Sequence, residues 1–335
     1  MLILLLCWSI DLQVGGINLL VACYAAMALY VAHKMVFGRL PYLTWERPEL
    51  PIGHVRKVKL DKERARRGML PLSTYGKAYW TVLSVFIVPY ESMVIYIDTL
   101  VTKQNAEDSK VAMKEKRSKG YVLSPQERTH SRIHSEFNKE MVAAQHPLMR
   151  FFLAAVFYFY HYSTLVLKTL VPTLVNGIVT VFENGFYYER TVEEIFEEFS
   201  DDTTLSRIYL WHLYEELEHH QESVQLFHDY YGPLLGSLIT VSIVPLLQFL
   251  LHTINVFALL ATFLSLNVAA YPTAVTSFLY DLVQNEVMTI WSSSLVLAKA
   301  SSDKKKIAAD LANYRLRFSQ KYGISLEPSK EFLVL

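Results

Sequence analysis

Two apolar stretches, residues 80–97 and 169–188, each contain a single charged side chain, Glu91 in the first and Glu183 in the second. A lone carboxylate in a dry helix costs several kcal/mol, so each must be paired, protonated or bound to a metal. The chain offers partners in two Glu-x-x-His tetrapeptides, Glu127 with His130 and Glu216 with His219. Positions i and i+3 of a helix lie about 60° apart, so both side chains of a tetrapeptide can reach one ion. One such tetrapeptide carries little information. The order does: Glu, Glu-x-x-His, Glu, Glu-x-x-His, with separations of 36 residues (91 to 127) and 33 residues (183 to 216).

That inventory is the one required by an all-α, ferritin-like four-helix bundle with a dinuclear metal site, in which two helices give one Glu each and two give Glu-x-x-His. Four carboxylates neutralise two divalent cations, and two imidazoles give each ion one nitrogen. An N/O ligand set of this kind suits iron, with manganese or zinc as alternatives. The expected ligands are therefore Glu91, Glu127, His130, Glu183, Glu216 and His219. His134 and His212, each four residues from an expected ligand, are further candidates, either as ligands or as groups that orient the carboxylates.

The last bundle helix is bounded by Asp201, Asp202 and Thr203 as N-caps and by Gly232-Pro233 as a stop. On a 100° wheel His212, Glu216, His219 and His220 fall on the arc that carries Leu205, Ile208 and Tyr209. Glu218, Glu222, Arg207 and Gln225 fall outside it and Glu215 lies at its edge, which selects Glu216 over Glu215. The second helix should begin at Ser124-Pro125. Glu127 then also fits a capping box, although it shares a face with His130, His134, Phe137 and Met141.

The chain is 52% hydrophobic and 19% charged, and its 32 basic residues balance 32 acidic ones, so no net field gathers a polyanion and no nucleic-acid partner is expected. Cys7 and Cys23 form no disulfide framework. Residues 13–33 carry no formal charge and are long enough for a transmembrane helix. Residues 34–67 follow with ten basic against four acidic side chains, which places the bundle on the cytoplasmic or mitochondrial matrix side. A second uncharged run of 51 residues, 230–280, reads as a membrane-embedded helical hairpin. The expected organisation is a membrane anchor (1–38), a basic juxtamembrane linker (39–74), the metal-binding bundle (75–232), the hairpin (233–280), and a C-terminal helix with a basic tail (281–335).

Two elements carry a resemblance. Gln126-Glu127 with His130 and His134 matches QE-x-x-H-x-x-x-H, and Trp211-His212 with Glu215-Glu216 and Glu218-His219 matches WH-x-x-EE-x-EH. Over about residues 75 to 260 the chain resembles the ferritin-like proteins described as predicted metal-dependent hydrolases, departing from them at Tyr90, where that family is expected to have Gly. Glu127-Arg-Thr-His130 and Glu216 with His219-His220 are also similar to elements of the membrane-bound di-iron carboxylate oxidases, alternative oxidase and demethoxyubiquinone hydroxylase. The first resemblance, the leading one because the Trp211-His212 and double-Glu context fits it better, implies metal-dependent hydrolysis of a lipid-like or apolar substrate. The second implies di-iron oxidation or hydroxylation of a quinone or lipid. A third reading is a non-catalytic, metal-stabilised subunit of a larger membrane complex. Membrane lipid, an apolar small molecule and other membrane subunits are the expected partners.

Overall fold

The structure, a computed structural model, describes residues 53–67, 75–104, 122–172, 174–175, 177–179, 182, 191–265, 276 and 304–335, with residues 13–14 and 17–18. These are overwhelmingly helical: α1 (Lys62–Arg67), α2 (Tyr75–Gln104), α3 (Leu123–Ala143), α4 (Pro147–Leu170), α5 (Val192–Glu198), α6 (Thr204–Ser265) and α7 (Lys304–Tyr322). Four two-residue strands form two pairs. β1 (Gln13–Val14) is antiparallel to β2 (Ile17–Asn18), and β3 (Val58–Lys59) is parallel to β4 (Leu333–Val334).

Helix α2 is the centre of the bundle, with α3, α4 and α6 packed around it. Its sequence is apolar on nearly every face, the pattern of a helix buried all round. Val82, Phe86, Met93 and Val94 are all buried, and so is Glu91 among them.

Helix α3 begins at Leu123 without a side-chain cap of its own. Its first amides donate instead to Glu222 of α6, from Val122 N at 3.1 Å and Leu123 N at 2.8 Å, so a carboxylate meets the positive end of the helix dipole. Glu127 is thereby released from the capping-box role and is fully buried on the inner face.

Helix α4 follows its N-cap His146, whose Nδ1 accepts from Leu148 N. Its buried stripe is Met149, Leu153, Val156, Tyr160 and Thr164. The opposite face leaves Phe151 74%, Tyr162 59% and Leu170 73% exposed. Among the described residues two helical stretches are long and apolar enough to cross a membrane, Tyr75–Leu100 and Pro147–Leu170; of the most apolar 18-residue window, 78% is buried inside the protein in the first and 22% in the second.

Two expectations are corrected. The last bundle helix does not stop at Gly232-Pro233: α6 runs unbroken to Ser265. A proline removes only one helical N–H, and long helical flanks on either side, apolar beyond it, leave the backbone no better way to satisfy its other polar groups. Of the anchor segment 1–38 only β1 and β2 are described, and they are paired as strands where a helix was expected. The hairpin segment beyond Ser265 lies, apart from residue 276, outside the described residues. Residues 53–67 of the basic segment are docked on the bundle. Arg132 donates to Val58 O, and a Cβ at Gly53 would collide with Val122, so the chain passes the start of α3 at glycine distance.

The C-terminal segment closes over the same region. Helix α7 ends at Gly323, whose φ of 65° and N–H to Ser319 O form a left-handed helix stop. From there the chain returns to pair β4 with β3, with Leu333 N donating to Lys57 O and Leu335 N to Lys59 O.

Candidate metal centre

Glu91 of α2, Glu127 and His130 of α3, and His212, Glu216 and His219 of α6 converge in the interior. Their ligand atoms form two groups, Glu91 with His130, His212 and Glu216, and Glu127 with Glu216 and His219, each within 4.8 Å of one another. Glu216 belongs to both. Its Oε1 lies 2.7 Å from His212 Nε2 and 3.3 Å from His130 Nδ1, while Oε2 lies 2.9 Å from His219 Nε2. Glu127 spans the pair in the same way, with Oε2 3.2 Å from His130 Nδ1 and Oε1 2.8 Å from His219 Nε2. Glu91 Oε1 stands 3.4 Å from His212 Nε2.

The surrounding hydrogen bonds decide which imidazole nitrogens face the centre as lone pairs. Asn138 Nδ2 donates to the carbonyl of Ser84 (2.9 Å), which leaves Asn138 Oδ1 to accept from Ser84 Oγ (2.8 Å). The one hydroxyl hydrogen of Ser84 is then committed, so His134 Nδ1 donates to Ser84 Oγ (2.8 Å). His134 Nε2 must accept, from His212 Nδ1 at 2.8 Å, and His212 Nε2 is left unprotonated toward Glu216 and Glu91. Burial holds both rings neutral: it lowers the pKa of His134 well below the usual range, with help from His212, and lowers that of His212, with help from His130.

The same logic applies to the other two. Gln126 Nε2 donates to His54 O (3.2 Å) and Glu218 Oε2 (2.8 Å), so Gln126 Oε1 accepts from His219 Nδ1 (2.8 Å), and His219 Nε2 faces inward. His130 Nε2 donates to Glu215 Oε2 (3.1 Å), and its Nδ1 faces inward. Three ring nitrogens and three carboxylates thus point at one another in a dry space. Glu127 Oε1, so close to His219 Nε2, makes no hydrogen bond with any described residue. Lone pairs and anionic oxygens at such distances repel unless cations lie between them, and the donor set fits divalent ions with mixed N/O ligation.

A proton is the competing cation. Burial disfavours charge on His130, but the carboxylates of Glu127, Glu215 and Glu216 outweigh it and push the imidazole well above its usual pKa. Burial and Glu216 act against charge on Glu127, yet His219, Glu91 and His130 hold its carboxyl down to about 2. His130 stacks on His212 with ring centroids 3.9 Å apart, an arrangement that disfavours charging both rings. A metal must displace the His130 proton, so affinity rises with pH. The metal-free fold behaves oppositely: protonated His130 stabilises it below the ordinary imidazole value, and that contribution is lost as pH rises through the raised pKa. The gap in melting temperature between metal-loaded and chelator-treated protein should therefore widen from about pH 6 to about pH 8, a trend read by calorimetry.

Behind the ligands lies a buried layer whose hub is Arg56. Its guanidinium makes a two-pronged contact with Glu218 (2.6 and 2.7 Å), reaches Glu215 at 3.2 Å, and donates from Nε to Leu326 O. His130 through Glu215, and His219 through Gln126 and Glu218, are thus oriented by one side chain. Two sequence expectations fail here. Glu218, Glu222 and Arg207, placed outside the buried arc, are all buried: His54 and Arg56 contact Glu218, the first amides of α3 contact Glu222, and the Tyr322 ring at the end of α7 lies against Arg207. Glu215, left at the edge of that arc, is 1% exposed and contacts His130 from the side opposite the centre. Arg56 and Ser84 had no distinguishing spacing as site groups, whereas Gln126 and Glu215 stand inside the two elements that carry the resemblance without being marked there as partners of the ligands. Glu183 lies outside the described residues, although its neighbour Phe182 lines a cleft that also touches Glu91, His212 and Glu216.

No protein-family model matches the chain, and neither the curated proteins nor the solved structures searched include a match to it.

Proposed function

We propose that this chain is a metal-dependent enzyme of the ferritin-like kind. In this reading it holds two divalent ions, iron before manganese or zinc, between Glu91, Glu127, His130, His212, Glu216 and His219, with Glu183 as the expected fourth carboxylate. The described carboxylates contribute three negative charges against four positive ones, and a fourth carboxylate or a hydroxide would restore neutrality. Iron in such a site supplies oxygen activation and redox equivalents. The chain's own residues orient the ligands, exclude water and bind the substrate.

The observation that carries the reading is the lining of the cleft that reaches the centre. It encloses about 410 Å³, part of it open to solvent, between the rings of Trp80, Tyr90, Phe182 and Tyr209 and the side chains of Leu83, Ile87 and Leu213. Each polar tip of these rings that could hold a polar substrate group is engaged elsewhere: Trp80 Nε1 with Glu198, Tyr209 OH with Trp80 O, and Tyr90 OH with Val179 O. An apolar molecule therefore meets carbon until it reaches the metal ligands. Hydrolysis develops charge on a substrate oxygen and gains from fixed donors beside it, which these walls do not turn toward the cleft. The lining favours oxidation of an apolar substrate with dioxygen as the electron acceptor. The exposed apolar face of α4 supports access from a membrane, where such substrates dissolve.

The test is product analysis of iron-loaded protein incubated with a reduced quinone or a lipid ester, with and without oxygen. Oxidised quinone and oxygen uptake are expected aerobically and neither anaerobically. Ester cleavage without oxygen would replace oxidation by hydrolysis, and a fully loaded protein inert to both would replace catalysis by a scaffold role.

A further inference from the structure

We infer that the two metal positions are unequal in access: the position bounded by Glu91, His130, His212 and Glu216 takes an outside ligand from the cleft, whereas the one bounded by Glu127, Glu216 and His219 is closed. The inference rests on the dinuclear reading above and adds which ion meets the substrate, and by what kind of group.

The cleft is lined by Glu91, His212 and Glu216, and among the described residues neither Glu127 nor His219 lines it. Exposure is concentrated at two ligands of the first position, His212 and the shared Glu216. Glu127 and His219 are 0% exposed, whereas His212 and Glu216 are the most accessible of the ligands, at 6% and 9%. The far side of His219 is sealed by its bond to Gln126, which is itself held by Glu218 and the carbonyl of His54. His212 cannot swing away to close the cleft side, because the bonds through His134 and Ser84 to Asn138 fix its ring. A six-coordinate ion held by four protein donors keeps two positions, and among the described residues the approach to them runs along the apolar walls. The ligand class is therefore an apolar body carrying one donor oxygen or nitrogen at its end.

Phenylimidazole is a suitable probe, its nitrogen for the metal and its ring for the cleft. The full chain is loaded with cobalt(II), whose visible spectrum reports coordination, and titrated with the probe. The expected result is one phenylimidazole per two cobalt ions. Leu213, half-buried in the cleft wall, is the control position. Leu213→Trp should weaken the probe by about tenfold or more by filling the cleft, with cobalt stoichiometry unchanged, and Leu213→Phe should give a smaller loss. If Leu213→Trp loses cobalt through misfolding, Leu213→Phe alone decides. Failure of the unaltered chain to take up two cobalt ions would overturn the dinuclear reading and this inference with it. Two cobalt ions with no probe bound, two probes bound, or binding indifferent to the cleft variants would overturn the inference alone.

Discussion

On the proposed dinuclear reading, Glu216→Ala should empty both metal positions at once. The expectation follows from the division of its carboxylate, with Oε1 toward His130 and His212 and Oε2 toward His219. Glu91, His130, His212 and His219 each belong to one group of ligand atoms, and Glu127, which also spans the pair, remains as the only carboxylate between the two positions among the described residues. Removing Glu216 takes a negative charge and an oxygen from both ions, and it leaves two cations facing each other with less carboxylate between them. Metal content should fall from two ions per chain to none, whereas His219→Ala should retain one. If binding of the metal stabilises the native chain, as it does whenever the ion prefers the folded state, the loss at a metal concentration about 1,000 times the dissociation constant is ~4 kcal/mol. Elemental analysis with parallel thermal melts reads both effects.

Arg56→Ala should be the most damaging single substitution to the metal-free fold. Its guanidinium compensates Glu218 and Glu215, which are 3% and 1% exposed, and its Nε satisfies Leu326 O in the C-terminal segment. Removing one partner from a buried ion pair leaves an uncompensated charge, at a cost of ~3–5 kcal/mol. Arg56→Lys should recover little, since an ammonium cannot make the two-pronged contact and reach the carbonyl together. Loss of the hub also releases Glu215 and Gln126, the partners of His130 and His219, and outer-layer changes of this sort weaken metal binding by about 10- to 100-fold. Urea unfolding of chelator-treated protein measures the first effect and metal titration the second. An unchanged midpoint in Arg56→Ala would show that Glu215 and Glu218 are protonated or solvated instead.

The inner ring of the centre is legible in the sequence because its spacing is helical. Glu127 with His130 and Glu216 with His219 lie three residues apart, and a lone acid such as Glu91 in an apolar run signals a buried partner through composition alone. The outer ring is not legible. Glu218 and Glu222 look like the solvated back of an amphipathic helix, and only residues 53–60 and the start of α3, packed against it, make that back an interior. Arg56 sits among basic residues that read as a charged linker, and nothing local says that its partners are 159 and 162 residues away. Ser84 and Asn138 have no motif at all; their role comes from a hydrogen-bond sequence that only fixed geometry can order. The helix stop placed at Gly232-Pro233 fails for a different reason. Local breaker chemistry gives a penalty at one peptide, and the long flanks of α6 outweigh it.

Three imidazoles and three carboxylates face inward, an arrangement that the proposed reading attributes to bound cations. Elemental analysis of the folded full chain, purified without chelator and equilibrated with excess ferrous iron at about pH 8, tests it most directly. Two tightly held ions per chain are expected, falling to none in Glu216→Ala. A folded chain that binds no iron, manganese or zinc under those conditions would contradict the account.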